Sequence, residues 1–211
     1  MTFQTVGLVA ATLGLIPGVT IAETRAALAP PALVVRTYRN VDISDKDFRT
    51  ALTYAEAAFA SAGVALVWMD CTTTSRAQVD ATACSTAVAS NEIVLRVQAA
   101  GRADSPHSSM GVSLVNTQLD SAPPMISAVF VDRVTVFARV AGVDARRVLG
   151  YACAHEIGHL LLNRPGHSET GLMRAIFSRL EVQRNRPADW VFPAEDAEII
   201  RNAVLARAAL Q

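Results

Sequence analysis

The chain has 211 residues, 19 Lys and Arg against 19 Asp and Glu, a formal net charge of zero and a near-neutral isoelectric point. That length corresponds to one domain, or one domain behind a leader, and is enough to bury a substantial core without staples. With no basic field, the composition argues against nucleic acid and anionic membrane surfaces as partners.

Residues 1–22 carry no charged side chain, and the apolar run from Val6 to Ile16 is broken by Pro17-Gly18 ahead of the small residues Thr20 and Ala22. This is the pattern of a secretory signal peptide. It predicts a secreted or periplasmic protein with no stable membrane insertion once the leader is removed. Residues 23–32 read as a linker, and 33–211 as the folded domain.

Leu33 to Tyr38 has the pattern of a strand. Ser44 is placed to cap a helix running to about Ala62, with Asp45 and Asp47 in its first turn and an apolar stripe at Phe48, Leu52, Ala55 and Phe59. Gly63 ends that helix, and Val64 to Met69 reads as a second strand. A strand–helix–strand unit implies a parallel pair joined by a right-handed crossover. Cys71 and Cys84 flank a small polar segment and are spaced to form a disulfide, worth roughly 3 kcal/mol by loop closure and consistent with export. Asn91 to Gln98 is a third strand, with Ile93, Leu95 and Val97 alternating. His107 lies in a polar loop over 101–110 and reads as solvated. Gly111 to Gln118 and Ile126 to Val131 are the fourth and fifth strands, and Asp132 to Ala141 a helical turn. Asp144 caps the next helix. Arg174, Arg179, Arg184 and Arg186 form a solvated basic loop. From Pro193 an amphipathic helix is expected to pack Ile199, Ile200, Ala203 and Val204 on the domain. Glu195, Asp196 and Glu198 suit its N-terminus without invoking a metal.

The chemistry concentrates between residues 155 and 167, which hold three of the chain's four histidines. In His155-Glu156-Ile157-Gly158-His159 the two histidines are four apart, so on a helix they stand on one face and present two nitrogen ligands to one point, as tetrahedral zinc requires. Glu156 sits about 100° round the helix, beside the metal and able to take a proton from water there. Leu149, Cys153, Ile157 and Leu160 form an apolar stripe that packs the helix, which makes Cys153 a buried free thiol. Gly158 costs about 1 kcal/mol of helix propensity and points to close approach by a neighbouring segment. Asn163 can take the left-handed turn that ends a helix, and Pro165-Gly166 forbids continuation. His167 is the candidate third ligand, with Glu169 and Glu181 as alternatives.

This run resembles the signature of the metzincin zinc endopeptidases, H-E-x-x-H-x-x-G-x-x-H followed by a Met-turn. His155, Glu156 and His159 match position for position, and His167-Ser168 with Gly171-Leu172-Met173 resembles the His-Ser…Met run of matrixin-type members. Leu162 stands where the family has Gly, and the third histidine comes two residues late, so the resemblance is to a bacterial secreted variant with a longer loop. It implies an α+β fold: a twisted mixed sheet of about five strands with an antiparallel edge strand, a backing helix, the HExxH helix and a C-terminal helix. It also implies a Zn2+ cofactor held by His155, His159 and His167, and Met173 as a hydrophobic floor. Glu156 is implied as general base and acid, and a peptide or protein as substrate. The fourth strand would be the edge along which substrate backbone adds, making Val112, Ser113, Leu114 and Val115 candidate contacts. The same residues would serve a zinc amidase acting on a cell-wall amide, or a catalytically silent, zinc-stabilised binding module.

Overall fold

The computed structural model describes residues 29–72, 81–100, 109–116 and 125–210. The expected signal peptide, most of the expected linker and His107 lie outside the described residues. No helix among the described residues is long and apolar enough to cross a membrane.

Strand β1 (Ala32–Arg39) leads into helix α1 (Asp45–Ser61), whose N-cap Ser44 accepts the Asp47 N–H, and then into β2 (Ala65–Asp70). Next come a short helix α2 (Ala81–Ser85), β3 (Glu92–Gln98), β4 (Gly111–Ser113) and β5 (Ile126–Phe130). Helices α3 (Val131–Ala141), α4 (Ala145–Leu162), α5 (Arg179–Arg184) and α6 (Ala194–Ala208) complete the chain, with a 3-10 turn over Pro187–Trp190. The strands form one sheet in the order β2-β1-β3-β5-β4, parallel except for β4, which runs antiparallel to β5 at one edge. The architecture is the expected α+β mixed sheet of five strands.

Strand alternation decides which face the helices cover. Leu33 and Val35 of β1 and Ile93, Leu95 and Val97 of β3 are fully buried against Phe48, Leu52, Ala55 and Phe59 of α1 and Leu149 and Ile157 of α4. On the opposite face Arg36 is buried, pairing with Glu92 and donating to the carbonyls of Thr86 and Ala87. Cys71 and Cys84 are disulfide-bonded, which ties the end of β2 to α2.

Helix α4 is the element everything else packs around, touching α1, α3, α6, β4 and β5. Its crossing with α1 is close because Gly150 has no side chain: a Cβ there would stand 2.1 Å from the Ala51 carbonyl oxygen. Backbone cannot yield as a flexible side chain can. Gly150→Ala is therefore expected to cost about 2 kcal/mol or more from overpacking, despite its better helix propensity, and to lower the melting temperature by about 4–8 °C.

Four expectations are corrected. The fourth strand stops at Ser113, because Val115 N–H turns back onto the Ser113 carbonyl and Asn116 N–H is held by the Asn163 side chain at 3.0 Å; Leu114 and Val115 are outside the strand, and residues 117 and 118 are not described. The segment after β5 is a full eleven-residue helix, not a turn. The expected basic loop contains α5, capped by Ser178 and Glu181 in a reciprocal capping box. In α6, Ile199 is exposed, and the buried face runs through Asp196, Ile200, Val204 and Arg207.

Candidate metal centre

The last two turns of α4 carry His155, Glu156 and His159, and the helix ends where Asn163 takes the left-handed conformation (φ 47°). The chain then loops through His167 and returns beneath the helix. Ser168 N–H donates to the Met173 carbonyl at 2.8 Å, and Leu172 N–H to the Val191 carbonyl at 2.8 Å. Met173 is fully buried under Gly158, where a Cβ would lie 2.6 Å from the methionine sulfur. The expected close approach at Gly158 is thus made by Met173.

The loop fixes the histidine tautomers. His155 Nδ1 is 2.8 Å from the Leu172 carbonyl, and His159 Nδ1 is 2.9 Å from the Arg164 carbonyl. A carbonyl only accepts, so in the neutral rings Nδ1 carries the proton and Nε2 presents a lone pair. The two Nε2 atoms stand 3.0 Å apart. Facing lone pairs repel unless a cation lies between them, and burial disfavours protonating either ring. His155 is pushed down to about 4, first by burial and then by the neighbouring His159 and His167. His159 and His167 are also lowered, each chiefly by burial. His167 brings the third imidazole: one ligand atom from each ring lies within 4.8 Å of the others, and the group can hold a metal ion. Glu169 and Glu181 are not in it. Glu181 closes the α5 capping box and pairs with Arg174, and its carboxyl is pulled down to about 2 by the Ser178 backbone and hydroxyl and by Arg174.

Glu156 is buried beside the histidines, and burial raises its carboxyl to about 7. The Ser113 hydroxyl donates to it at 2.6 Å and partly offsets that rise. Gly111 makes the space: a Cβ there would lie 2.5 Å from Glu156 Oε1. Of the candidate edge residues, Leu114 N–H bonds to the Ile126 carbonyl, and the alternation of an antiparallel ladder turns the Val112 backbone the same way, towards β5. The outward backbone groups of β4 therefore belong to Gly111 and Ser113, and the Ser109 hydroxyl currently bonds to both the N–H and the carbonyl of Gly111.

Asp196 escaped the sequence reading. Almost fully buried, it accepts from Arg164 at 2.6 Å and from the Ser168 hydroxyl at 2.6 Å, so α6 clamps both ends of the loop that carries His167. An acidic residue in the first turn of a helix looked like a dipole partner, and only the fold reveals its targets. Cys153 is a fully buried free thiol, pushed up to about 12 by burial and by Glu156, so it is neither ligand nor nucleophile. Arg174 reaches the site but is paired with Glu181 and Asp189, and Arg179, Arg184 and Arg186 are exposed.

The histidines and Glu156 open into a cleft of about 900 Å³ bounded by β4, α3 and the segment after Met173.

No protein-family model and no curated protein matches the chain. Among solved structures its fold is similar to that of archaemetzincin (amzA) from Methanopyrus kandleri, with a TM-score of 0.52 and 16% identity over 83% of this chain and 97% of that one. At that identity the likeness shows a shared fold.

Proposed function

We propose that the protein is a metzincin-like zinc endopeptidase, exported by its N-terminal segment. The observation that carries the reading is the convergence of two lone-pair Nε2 atoms and a third imidazole next to a buried carboxyl. Three neutral imidazoles suit zinc, and three protein ligands are the number that leaves a position open for catalysis. His155, His159 and His167 would hold it. Bound there, zinc would supply a Lewis acid that polarises the scissile carbonyl and acidifies water.

The chain's own residues do the rest. Glu156, with its carboxyl raised to about 7, is matched to take a proton from attacking water near neutral pH and to return it to the leaving amine. The Ser113 hydroxyl aims the carboxylate, and the Gly111 and Ser113 backbone edge is where extended substrate would pair once Ser109 swings away. The burial of Met173 under Gly158 supports its reading as the methionine of a Met-turn, in a matrixin-type His-Ser…Met run. Export is supported by the charge-free residues 1–22 and by the Cys71–Cys84 disulfide.

The test is a quenched-peptide library: the proposal expects cleavage that a chelator abolishes and zinc restores. Zinc binding with no cleavage of any peptide would contradict it. The loop clamp gives a separate check. Asp196→Ala is expected to leave the fold intact and to weaken zinc about 10-fold or more, measured by competition with a chromogenic chelator.

A further inference from the structure

Arg147, Tyr151 and His155 recur every four residues of α4, so they share one face, and all three line the cleft. Eight residues put Arg147 about 12 Å along the helix from His155. Around this far end the walls are mainly apolar: Val136 and Val140 of α3, Val182 of α5, Phe177 and Trp190. In such surroundings an unpaired cation is costly, and a pocket that holds one is built for an anion.

Arg147 is that cation. Arg174 is neutralised by Glu181 and Asp189, and Arg133 donates to the Ser109 carbonyl. Arg147 has no carboxylate within ion-pair distance among the described residues; its one hydrogen bond runs from Nη2 to the Val182 carbonyl at 2.9 Å. Its Nε is buried with no acceptor among the described residues. Trp190, 7% exposed and stacked on Tyr151 with ring centroids 4.2 Å apart, also buries its indole N–H without an acceptor. The Arg147 guanidinium lines the cleft and can only donate, so its complement is a group that only accepts, a carboxylate. Among the described residues, the carboxylates that line the cleft are elsewhere: Glu156 with the histidines, and Asp132 on the Ala100 N–H.

We infer that Arg147 makes the cleft selective for a peptide with glutamate immediately after the scissile bond, the guanidinium receiving the glutamate carboxylate at the far end of the pocket. The inference rests on the peptidase reading. Over the roughly 12 Å of helix between His155 and Arg147, glutamate reaches one methylene further than aspartate. An apolar side chain would fill the walls but seal the cation away from water with only the Val182 carbonyl as partner.

The probes are two C-terminally amidated peptide hydroxamates, identical except for Glu or Gln at that position, titrated into zinc-loaded protein by calorimetry. The Glu probe is expected to bind about tenfold or more tighter, the value of one charge-assisted hydrogen bond, and Glu substrates to show the same preference in kcat/KM. Arg147→Gln keeps a donor for the Val182 carbonyl and should erase the preference, whereas Arg147→Lys should retain part of it; melting curves and zinc content confirm that both variants fold. Equal binding of the two probes, or a preference that survives Arg147→Gln, overturns the inference and leaves the zinc site standing. Failure of both probes to bind zinc-loaded protein refutes the peptidase reading and the inference together.

Discussion

Glu156→Gln is expected to retain zinc and to cleave peptides about 10²- to 10⁴-fold more slowly, the range removed with a general base. The loss should fall on kcat, because in the proposed mechanism the side chain handles a proton and does not hold the metal. A second signature appears in the metal-free protein. Burial raises the Glu156 carboxyl from 4.5 to about 7, so the folded state binds its proton more tightly than the unfolded chain. The stability contributed by that protonation is complete below about pH 4.5 and is lost as pH rises through about 7. Glutamine has no such dependence. Relative to wild type, the chelated Glu156→Gln protein should therefore gain about 3 kcal/mol between about pH 4 and about pH 8, read from urea melts at the two pH values. A flat difference would place the carboxyl in water, with no tuned proton to give.

Removing the metal should have the next largest effect. Zinc that binds only the native state stabilises it by about 4 kcal/mol at a thousandfold excess over Kd, a shift of about 8–16 °C in melting temperature for a chain of this size. His155→Ala and His159→Ala are expected to cancel the shift, since both rings are aimed by backbone carbonyls at one point. His167 lies on an exposed loop, and its alanine variant should reduce the shift without abolishing it. Acid should act in the same direction as chelation. The His155 imidazole is depressed from 6.5 to about 4, so its contribution to stability is present above about pH 6.5 and is lost as pH falls towards 4.

Much of this was legible before folding, and the reasons are physical. The i, i+4 histidines, the apolar stripe through Leu149, Cys153, Ile157 and Leu160, and the Asp144 and Asn163 caps are local signals, and α4 obeys each of them. The alternation of Ile93, Leu95 and Val97 likewise maps onto the buried face of β3. What was not legible depends on contacts between distant segments. Gly111 looked like the start of a strand; its missing side chain is what admits the Glu156 carboxyl 45 residues on. Ser113 was a guess at main-chain substrate contact, and its hydroxyl turned out to hold the Glu156 carboxyl. Asp196 read as a surface partner of a helix dipole and instead clamps the His167 loop. Arg147 sits between the Asp144 cap and the motif and carries no pattern of its own; only the cavity shows that it has no carboxylate partner among the described residues. The fourth strand was overextended because Leu114 and Val115 continue its apolar pattern, while a turn at Ser113 and the Asn163 side chain end it.

The most direct test of the central claim is the metal content of the purified chain by elemental mass spectrometry, for wild type, Glu156→Gln and His159→Ala. The account predicts about one zinc per chain in the first two and a large loss in the third. Zinc undiminished in His159→Ala, or absent from correctly folded wild type supplied with excess zinc, would contradict it.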